Sequence, residues 1–276
     1  MKLSPTLNLF NQLFMAFQIA FWPTLISIWR SPLLLFQPQK LSQTYMAHVW
    51  LNFGNGADEG GRPTKERLIT PHATGVVLDL GAGYGHTIKY VDRSKVTKYV
   101  AVEPNLRMHN ILRATAATFG FTEADKTLLI LSCGAEDTSV ILSALNNTQV
   151  DTIISVLTFC SISEPQETIA KLVLDVLKPG GQLTYYEHVL SSLKDVAWWQ
   201  HFWAPLWAVG FDGCRMDRPT HLYIEEITDR NGKSPWKDRL ICGRDDEPEE
   251  DLFWHRAGRC TRSVPTFAQL EFLLTS

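Results

Sequence analysis

The sequence lacks the cysteine patterns that mark disulfide-rich and zinc-binding proteins. Its five cysteines are odd in number and widely spaced, and no two of them form a Cys-x-x-Cys pair. These absences argue against a disulfide framework and against a zinc site. We therefore predict a reducing, intracellular compartment and no metal. Cys133 and Cys160 lie in apolar strand-like runs, where we expect them to act as small buried hydrophobes.

An excess of positive charge is also absent. The 276 residues carry a formal net charge of -3, which gives no general attraction toward nucleic acid, so we expect no nucleic-acid partner. Repeats and low-complexity tracts are lacking as well. An apolar content of 45% with 20% charged residues is typical of a globular protein, and the length favours one catalytic domain with additions.

The N-terminal region contains a long stretch without charge. No charged residue occurs from Leu3 to Trp29, and residues 13–29 are almost wholly apolar and aromatic. Pro23 is expected to kink or end a helix, and no Ala-x-Ala-like cleavage site follows, so neither a regular span nor a signal peptide is favoured. Two alternatives remain for residues 1–40. They form either an anchor at a membrane surface, of the endoplasmic reticulum or lipid droplet type, or a helical pair that covers the substrate cleft.

Composition also indicates a division of the chain. We predict an apolar helical segment at residues 1–52, a linker rich in glycine, charge and proline at residues 53–74, and a catalytic domain at residues 75–276. The acidic stretch 229–251 is expected to be a solvated loop before a last strand near residues 252–260.

A strand, a glycine loop and a helix open the predicted catalytic domain. The β-branched run 76–80 leads into Gly81-Ala82-Gly83-Tyr84-Gly85, where alternate glycines let the backbone turn sharply and approach a ligand. A dinucleotide loop has the spacing Gly-x-Gly-x-x-Gly, and here the third glycine comes one residue too early. A ligand such as S-adenosylmethionine brings an amino-acid end and a sulfonium instead of a pyrophosphate. Asp79 could pair with the ammonium of that ligand directly or through water.

Acidic residues follow the next two strands. Glu103 ends the strand 98–102, about twenty positions past the glycine loop, where a carboxylate can accept both ribose hydroxyls. The alternative is a surface acid that caps the turn before Pro104. Glu136 follows the third strand, residues 128–132, and is expected to face adenine, with the N–H of Ala135 donating to the ring. The alternative for Glu136 is a helix N-cap.

The remaining elements complete an alternating pattern. A fourth strand at residues 151–159, a helix at 165–177 and a fifth strand at 182–189 follow in order. This alternation predicts a doubly wound α/β fold with a largely parallel sheet and a ligand crevice at the carboxyl ends of the strands.

These motifs together resemble a known class of enzymes. VLDLGAGYG, VAVEPN, CGAED, VDTIISVLTFCSI and VLKPGGQLTYYEHV are similar to the successive motifs of class I S-adenosylmethionine-dependent methyltransferases, over about Val76 to Val189. TFCSI, LKPGGQLTYYEHV and the following WWQHFWAPLWAVGFDGC resemble the methyltransferase-like seven family of membrane-associated thiol S-methyltransferases, its fungal relatives in particular. That family also carries an apolar N-terminal anchor. The resemblance implies a seven-stranded, mostly parallel Rossmann-like sheet behind an N-terminal helical extension.

The resemblance also implies a cofactor and its contacts. S-adenosylmethionine would be held at its methionine end by the glycine loop, at its ribose by Glu103 and at its adenine by Ala135 and Glu136. The predicted cofactor-binding residues are Asp79, Gly81, Ala82, Gly83, Tyr84, Gly85, Glu103, Pro104, Asn105, Gly134, Ala135, Glu136, Leu157 and Thr158.

The methyl acceptor is expected above the fourth and fifth strands. His188 is the predicted general base, and Asp212 is its orienter or a substrate contact. The alternative for His188 is a structural role in which it only forms hydrogen bonds between strand ends. An aromatic cluster nearby is either a core helix or a wall of the acceptor pocket; its members are Trp198, Trp199, Phe202, Trp203, Trp207 and Phe211. We therefore predict methylation of a small lipophilic thiol. The alternatives are O-methylation of an apolar metabolite and S-adenosylmethionine binding without catalysis.

Overall fold

Seven strands join into one sheet in the computed structural model, which describes residues 4–245 and 247–264. Their order across the sheet is β3-β2-β1-β4-β5-β7-β6. The strand bounds are β1 Gly75–Leu80, β2 Val96–Val102, β3 Leu128–Leu131, β4 Val150–Val156, β5 Leu177–His188, β6 Trp236–Cys242 and β7 His255–Arg262. The first five strands are parallel, and β7 runs antiparallel to both β5 and β6. The predicted doubly wound, mostly parallel sheet is confirmed.

Helices cover both faces of this sheet. Their bounds are α1 Ser4–Arg30, α2 Pro38–Gly60, α3 Arg62–Ile69, α4 His109–Thr118, α5 Thr138–Ala144, α6 Pro165–Lys171, α7 Lys194–Gly210 and α8 Thr220–Glu225. Single turns of 3-10 helix lie at Pro32–Phe36 and His86–Tyr90, and a π-helical turn at Leu172–Val176 extends α6.

Alternation along the strands places the core on both sides of the sheet. Leu78 and Leu80 of β1 pack in one apolar layer with Ile141 of α5 and Ile169 of α6. Val77, which precedes Leu78, packs in the opposite layer with residues of α3 and α4. This period of two follows from the pleat of a strand, and burial on both faces explains why the strands are continuously apolar.

The N-terminal extension is more helical than predicted. Helix α1 continues through Pro23 instead of ending there; packing of Ala16 and Ala20 in a cluster with residues of α7 maintains its course despite the lost hydrogen bond. The predicted linker is also largely helical, because α2 extends to Gly60 and α3 follows directly. The division of the chain into domains stays a prediction. Residues 1–3 and 265–276 lie outside the described residues.

The C-terminal part contains a strand where a loop was expected. Strand β6 lies inside the acidic stretch 229–251 and pairs with β7 at the edge of the sheet. Most of its side chains are exposed, so the sequence shows no apolar alternation there. The last strand, β7, begins at His255 and ends at Arg262, close to the predicted span.

Candidate active site

The glycine loop leaves the end of β1 in a conformation that favours glycine. Gly81, Gly83 and Gly85 have φ values of 61°, 55° and 87°, in the left-handed region that side chains disfavour. A Cβ atom on Gly81 would lie 2.4 Å from the hydroxyl oxygen of Thr158. The absence of a side chain at Gly81 therefore allows the loop backbone to lie close to the end of β4.

Glu103 joins the end of β2 to this loop. The N–H of Gly83 donates to Oε2 and the N–H of Asn105 donates to Oε1, both at 2.8 Å. Only 5% of the residue is exposed, and burial raises the pKa of its carboxyl to about 7. It is therefore not the surface acid considered as an alternative. Each oxygen retains a lone pair that can accept a ribose hydroxyl.

Asp79 lies beneath the glycine loop and is fully buried. Burial raises the pKa of its carboxyl to about 7, although the hydroxyl of Tyr99 donates to Oδ2. Among the described residues, Oδ1 has no hydrogen-bond partner. A buried carboxylate oxygen without a partner is costly, and this one fits a cationic or hydrogen-donating group of a ligand.

The loop after β3 supplies a third acidic side chain. Asp137 occupies the N-cap position of α5, so Glu136 is not the cap considered as an alternative. The Glu136 carboxylate is exposed and accepts a hydrogen bond from the Ser163 hydroxyl at 3.2 Å. Ala135 is buried, and the N–H of Gly134 donates to Asp137 Oδ2 at 3.0 Å.

Helix α2 covers the glycine loop. The sequence left a helical cover of the cleft open as an alternative for residues 1–40, but it did not identify the α2 residues that contact the loop. The Tyr84 hydroxyl donates to the carbonyl oxygen of Ala47, and the Asn105 amide donates to that of Gln43, both at 2.8 Å. The indole of Trp50 lies so close to Gly83 that a Cβ there would be 3.0 Å from Nε1. The contacts use backbone carbonyls, and these leave no signal in the side-chain pattern.

The ends of β4 and β5 are connected through Glu187. Its Oε1 accepts bonds from the Ser155 hydroxyl at 2.7 Å and from the N–H groups of Thr158 and Phe159 at 3.0 and 3.1 Å. The hydroxyl of Thr158 donates in turn to the carbonyl oxygen of Leu80 at 2.8 Å. Burial raises the pKa of Glu187. This network fixes the tip of β4 beside the glycine loop.

The structure does not bring His188 and Asp212 together as a base and its orienter. Asp212 Oδ1 accepts a hydrogen bond from the Ser42 hydroxyl of α2 at 2.9 Å, and burial raises its pKa. His188 Nδ1 instead lies 3.9 Å from Sγ of Cys214, which lies 3.3 Å from Sγ of Cys160. The hydrogen bond between the two thiols lowers the pKa of Cys214 and, together with burial, raises the pKa of Cys160. The sequence offered only the position of Cys214 in FDGC as a signal.

The aromatic cluster of α7 divides into two sides. Trp207 is buried and stacks on Phe211 with ring centroids 3.8 Å apart, next to Cys160 and Cys214 in the same apolar cluster. Trp198 and Phe202 point outward and are 58% and 57% exposed. The inner side chains therefore belong to the core beside the thiols, and the outer ones are too exposed to line an enclosed pocket. A role of the inner side chains as a wall of the acceptor pocket stays a prediction.

Comparison with known proteins identifies the family. A family model described as a methyltransferase domain matches residues 59–225. Thiol S-methyltransferase TMT1B of Rattus norvegicus is 28% identical over 163 residues, which is 58% of this chain and 62% of that protein. Thiol S-methyltransferase TMT1A of Homo sapiens is 27% identical over 157 residues, 55% of this chain and 59% of that protein. The match thus spans about 60% of the length of these curated relatives.

Solved structures show the same fold. An O-methyltransferase family protein from Burkholderia thailandensis superposes with a TM-score of 0.52 at 12% identity, over 83% of this chain and 60% of that one. A SAM-dependent methyltransferase from Leishmania major gives a TM-score of 0.50 at 15% identity, over 81% of each chain. Since the family model covers more than half of the sequence, this chain belongs to the methyltransferase domain family, with the class I fold of S-adenosylmethionine-dependent methyltransferases.

Proposed function

We propose that this protein transfers a methyl group from S-adenosylmethionine to a small lipophilic thiol. The observation that carries the proposal is the hydrogen bond from the Gly83 N–H to Glu103, which joins the glycine loop to the carboxylate at the end of β2. We call this loop, together with Asp79 and Glu103, the donor cradle, because it would bind the methyl donor. The named activity of the relatives TMT1A and TMT1B supports a thiol acceptor.

The donor would be held by residues at the ends of three strands, β1, β2 and β3. Glu103 would accept the ribose hydroxyls, the glycine loop would contact the methionine end, and Asp79 Oδ1 would meet the ammonium directly or through water. Ala135 and Glu136 would contact adenine. When bound, S-adenosylmethionine supplies an electrophilic methyl group on a sulfonium, and the protein's part is to align the acceptor with it and to exclude water.

The acceptor side of the cleft is apolar. Trp207, Phe211 and Phe253 are nearly fully buried around the tip of β5, an environment that favours an uncharged, lipophilic molecule. A thiol with a pKa near ~8.5 needs only modest help to ionise, and His188, at the end of β5, is the residue we propose as its proton acceptor.

We also propose that α1 lies along a membrane surface. Helix Thr6–Arg30 is apolar and long enough to cross a membrane by length and composition alone, but 22% of the window is buried in the protein. Leu9, Ala16 and Ala20 face the protein, which leaves the opposite side for lipid. The outer side chains form what we call the apolar surface: Phe10, Phe14, Phe17, Trp22, Ile26 and Trp29 of α1, with Trp198, Phe202, Leu206 and Val209 of α7.

Transfer of label from methyl-tritiated S-adenosylmethionine tests the proposed function. The full-length protein would be offered small thiols and alcohols of matched carbon skeleton, with Glu103→Gln as the donor-site variant. We expect label in the thioether products and a large loss with Glu103→Gln. Label in ethers alone would show that the protein is an O-methyltransferase and not a thiol methyltransferase. Retained S-adenosylmethionine binding without any transfer would contradict catalysis on these acceptors.

A further inference from the structure

Two cysteines and a histidine from three separate parts of the chain meet at the acceptor side of the cleft. Cys160 follows β4, His188 ends β5, and Cys214 lies in the turn after α7. Their ligand atoms all lie within 4.8 Å of one another. Cys160 is fully buried and Cys214 is 9% exposed, so this thiol-rich group lies inside the protein and not on its surface.

The spacing of these atoms suits one metal ion. Around a tetrahedral zinc, with Zn–S about 2.3 Å and Zn–N about 2.0 Å, ligand atoms lie about 3.5–3.8 Å apart. The two sulfurs are 3.3 Å apart, and the nearest sulfur to His188 Nδ1 is at 3.9 Å. Shifts of about half an ångström would bring these two distances to the tetrahedral values, and the third pair, Cys160 and His188, lies within 4.8 Å.

The surrounding structure holds the two cysteines in place. The carbonyl oxygen of Cys160 accepts the N–H of Arg215 at 3.0 Å and the guanidinium of Arg218 at 2.9 Å. Those bonds tie the loop after β4 to the turn that carries Cys214. His188 packs against the ring of Phe253, with centroids 5.3 Å apart. Such outer contacts orient metal ligands and keep the site dry.

We infer that Cys160, Cys214 and His188 bind a thiophilic divalent cation, with zinc as the best fit, and that the fourth coordination position receives the sulfur of the methyl acceptor. Two thiolates neutralise the charge of the ion, and the Cys₂His set with one open position is a known catalytic arrangement for zinc. The inference rests on the proposed function for the identity of the fourth ligand. It replaces our expectation of no metal, which considered cysteine spacing in the sequence only.

The site would activate the acceptor at its sulfur. In this inference His188 acts as a metal ligand and not as the proton acceptor: the thiol R–SH would lose its proton to solvent on binding, and its sulfur would bind the ion as a thiolate. A sulfur lone pair then forms a bond to the methyl carbon, the bond between that carbon and the sulfonium sulfur breaks, and its electron pair stays on the donor. The products are R–S–CH₃ and S-adenosylhomocysteine. A neutral thioether is a weaker ligand than a thiolate and leaves the ion.

The turn that carries Cys214 links this group to the donor cradle. Asp212, two residues earlier, accepts a hydrogen bond from Ser42 of α2, and the neighbouring carbonyl oxygen of Gln43 accepts one from the amide of Asn105, beside Glu103. Gly213, between Asp212 and Cys214, approaches the carbonyl oxygen of Ser161, since a Cβ there would lie 3.3 Å away. The turn 212–214 therefore connects the proposed ion site to the donor cradle.

Metal content and spectroscopy test the site on the full-length protein. Protein purified in reducing, zinc-supplemented buffer should contain about one zinc per chain, and cobalt substitution should give a thiolate-to-metal charge-transfer band. Cys160→Ser and Cys214→Ser should lose both signals. Cys242→Ser, a partly buried cysteine of β6 outside the group, should keep them. Thermal stabilisation by S-adenosylmethionine shows that each variant is folded.

Acceptor dependence separates activation from a structural role. Removal of the ion by a chelator should reduce kcat/KM for aliphatic thiols by about a hundredfold or more. The loss should be much smaller for acidic aromatic thiols, which are already ionised at neutral pH. Metal-free protein with full turnover of aliphatic thiols, or a stoichiometric Cys160–Cys214 disulfide in place of the ion under reducing conditions, would overturn the inference and leave thiol methylation standing. A bound ion without thiol turnover would overturn the acceptor role and the proposed function together, with the metal-binding group intact.

Discussion

At the residue scale, two buried carboxyls dominate the electrostatics of the donor cradle. Burial raises the pKa of both Asp79 and Glu103 to about 7, so the protein without ligand carries them partly protonated at neutral pH. Hydroxyl and ammonium groups of a bound donor interact better with the ionised forms. Donor binding and proton release should therefore be linked.

The first prediction concerns the pH dependence of donor affinity. Because binding favours the ionised carboxyls, the Kd for S-adenosylmethionine should rise as pH falls through 7, by up to about tenfold per pH unit for each proton linked. Above pH 8 the Kd should be constant. Isothermal titration calorimetry in buffers of different ionisation enthalpy measures both the Kd and the proton release. Glu103→Gln should weaken binding and flatten the profile, and an unchanged profile in that variant would contradict the role of Glu103.

A second prediction concerns the shape of the glycine loop. Gly81→Ala places a Cβ 2.4 Å from Thr158 Oγ1 at a φ of 61°, so we expect it to lower the free energy of unfolding by roughly 1–3 kcal/mol and to weaken donor binding. The matched control is Gly56→Ala in α2, where no atom lies within 4 Å of the added Cβ. Urea unfolding of the two variants gives the comparison, and equal stabilities would show that the loop is not constrained as described.

Sequence reasoning was strongest where a residue follows directly from its strand. The glycine loop was predicted from its position after β1 and Glu103 from its position after β2, because parallel strands bring their carboxyl ends to one edge of the sheet. The sequence did not reveal the partners that His188 and Asp212 have in the structure, Cys214 and Ser42, and the catalytic roles of the two residues stay predictions. Cys214, 54 positions from Cys160, is near it only because α7 returns the chain to the tip of β5.

At the element scale, α2 and α3 are fixed to the catalytic fold by a buried charged group. Asp58 of α2 is 4% exposed and bonds to Lys65 of α3, to Lys89, and to the hydroxyl of Tyr90. Burial alone would raise its pKa, but the bonds from Lys65, Lys89 and Tyr90 outweigh it, so the pKa is lowered. This group stabilises the helix that covers the glycine loop.

The third prediction tests that attachment. Asp58→Asn leaves two lysines without their buried counter-charge and should cost about 3–5 kcal/mol of unfolding free energy. Since the folded pKa of Asp58 is depressed, its contribution is present above the unfolded pKa and should fade as pH drops toward the folded one. The control Glu59→Gln breaks an exposed pair with Arg62 and should change stability by less than about 1 kcal/mol. Equal losses in both variants would contradict the buried role.

Elements that lack an apolar pattern were the ones missed in the sequence. Strand β6 is an exposed edge strand, so its side chains carry no period of two. The end of α2 contains Gly54 and Gly60 and reads as a loop. Gly54 is needed there because a Cβ would lie 2.4 Å from the ring of His86, so the composition that indicated a linker reflects close packing instead.

At the scale of the whole molecule, the apolar surface groups the large exposed side chains of α1 with those of α7. The two helices are in contact, since a Cβ on Gly210 of α7 would lie 3.5 Å from the side chain of Leu13. Trp22 and Trp29 are 68% and 83% exposed. An apolar patch of this kind marks an interaction site, and its aromatic residues suit a lipid headgroup region.

The fourth prediction is that this surface binds vesicles. Full-length protein should float with phosphatidylcholine vesicles. Phe14→Asp combined with Trp22→Asp should reduce the partition coefficient by about tenfold or more, because burial of each large apolar side chain in lipid contributes about 1.5–3 kcal/mol to binding. Val140→Asp changes a comparably exposed residue of α5, 50% accessible, and should have no effect. Equal flotation of all three proteins would contradict a lipid-facing α1.

The measurement that tests the central claim most directly is a competition between one thiol and its matched alcohol in a single reaction with S-adenosylmethionine. Mass spectrometry of the products identifies the methylated atom, and thermal stabilisation by S-adenosylmethionine shows that the donor is bound. We expect the methyl thioether as the main product, formed together with an equal amount of S-adenosylhomocysteine and lost with Glu103→Gln. The methyl ether as the main product, or no methylated product while S-adenosylmethionine is bound, would contradict the assignment of this protein as a thiol methyltransferase.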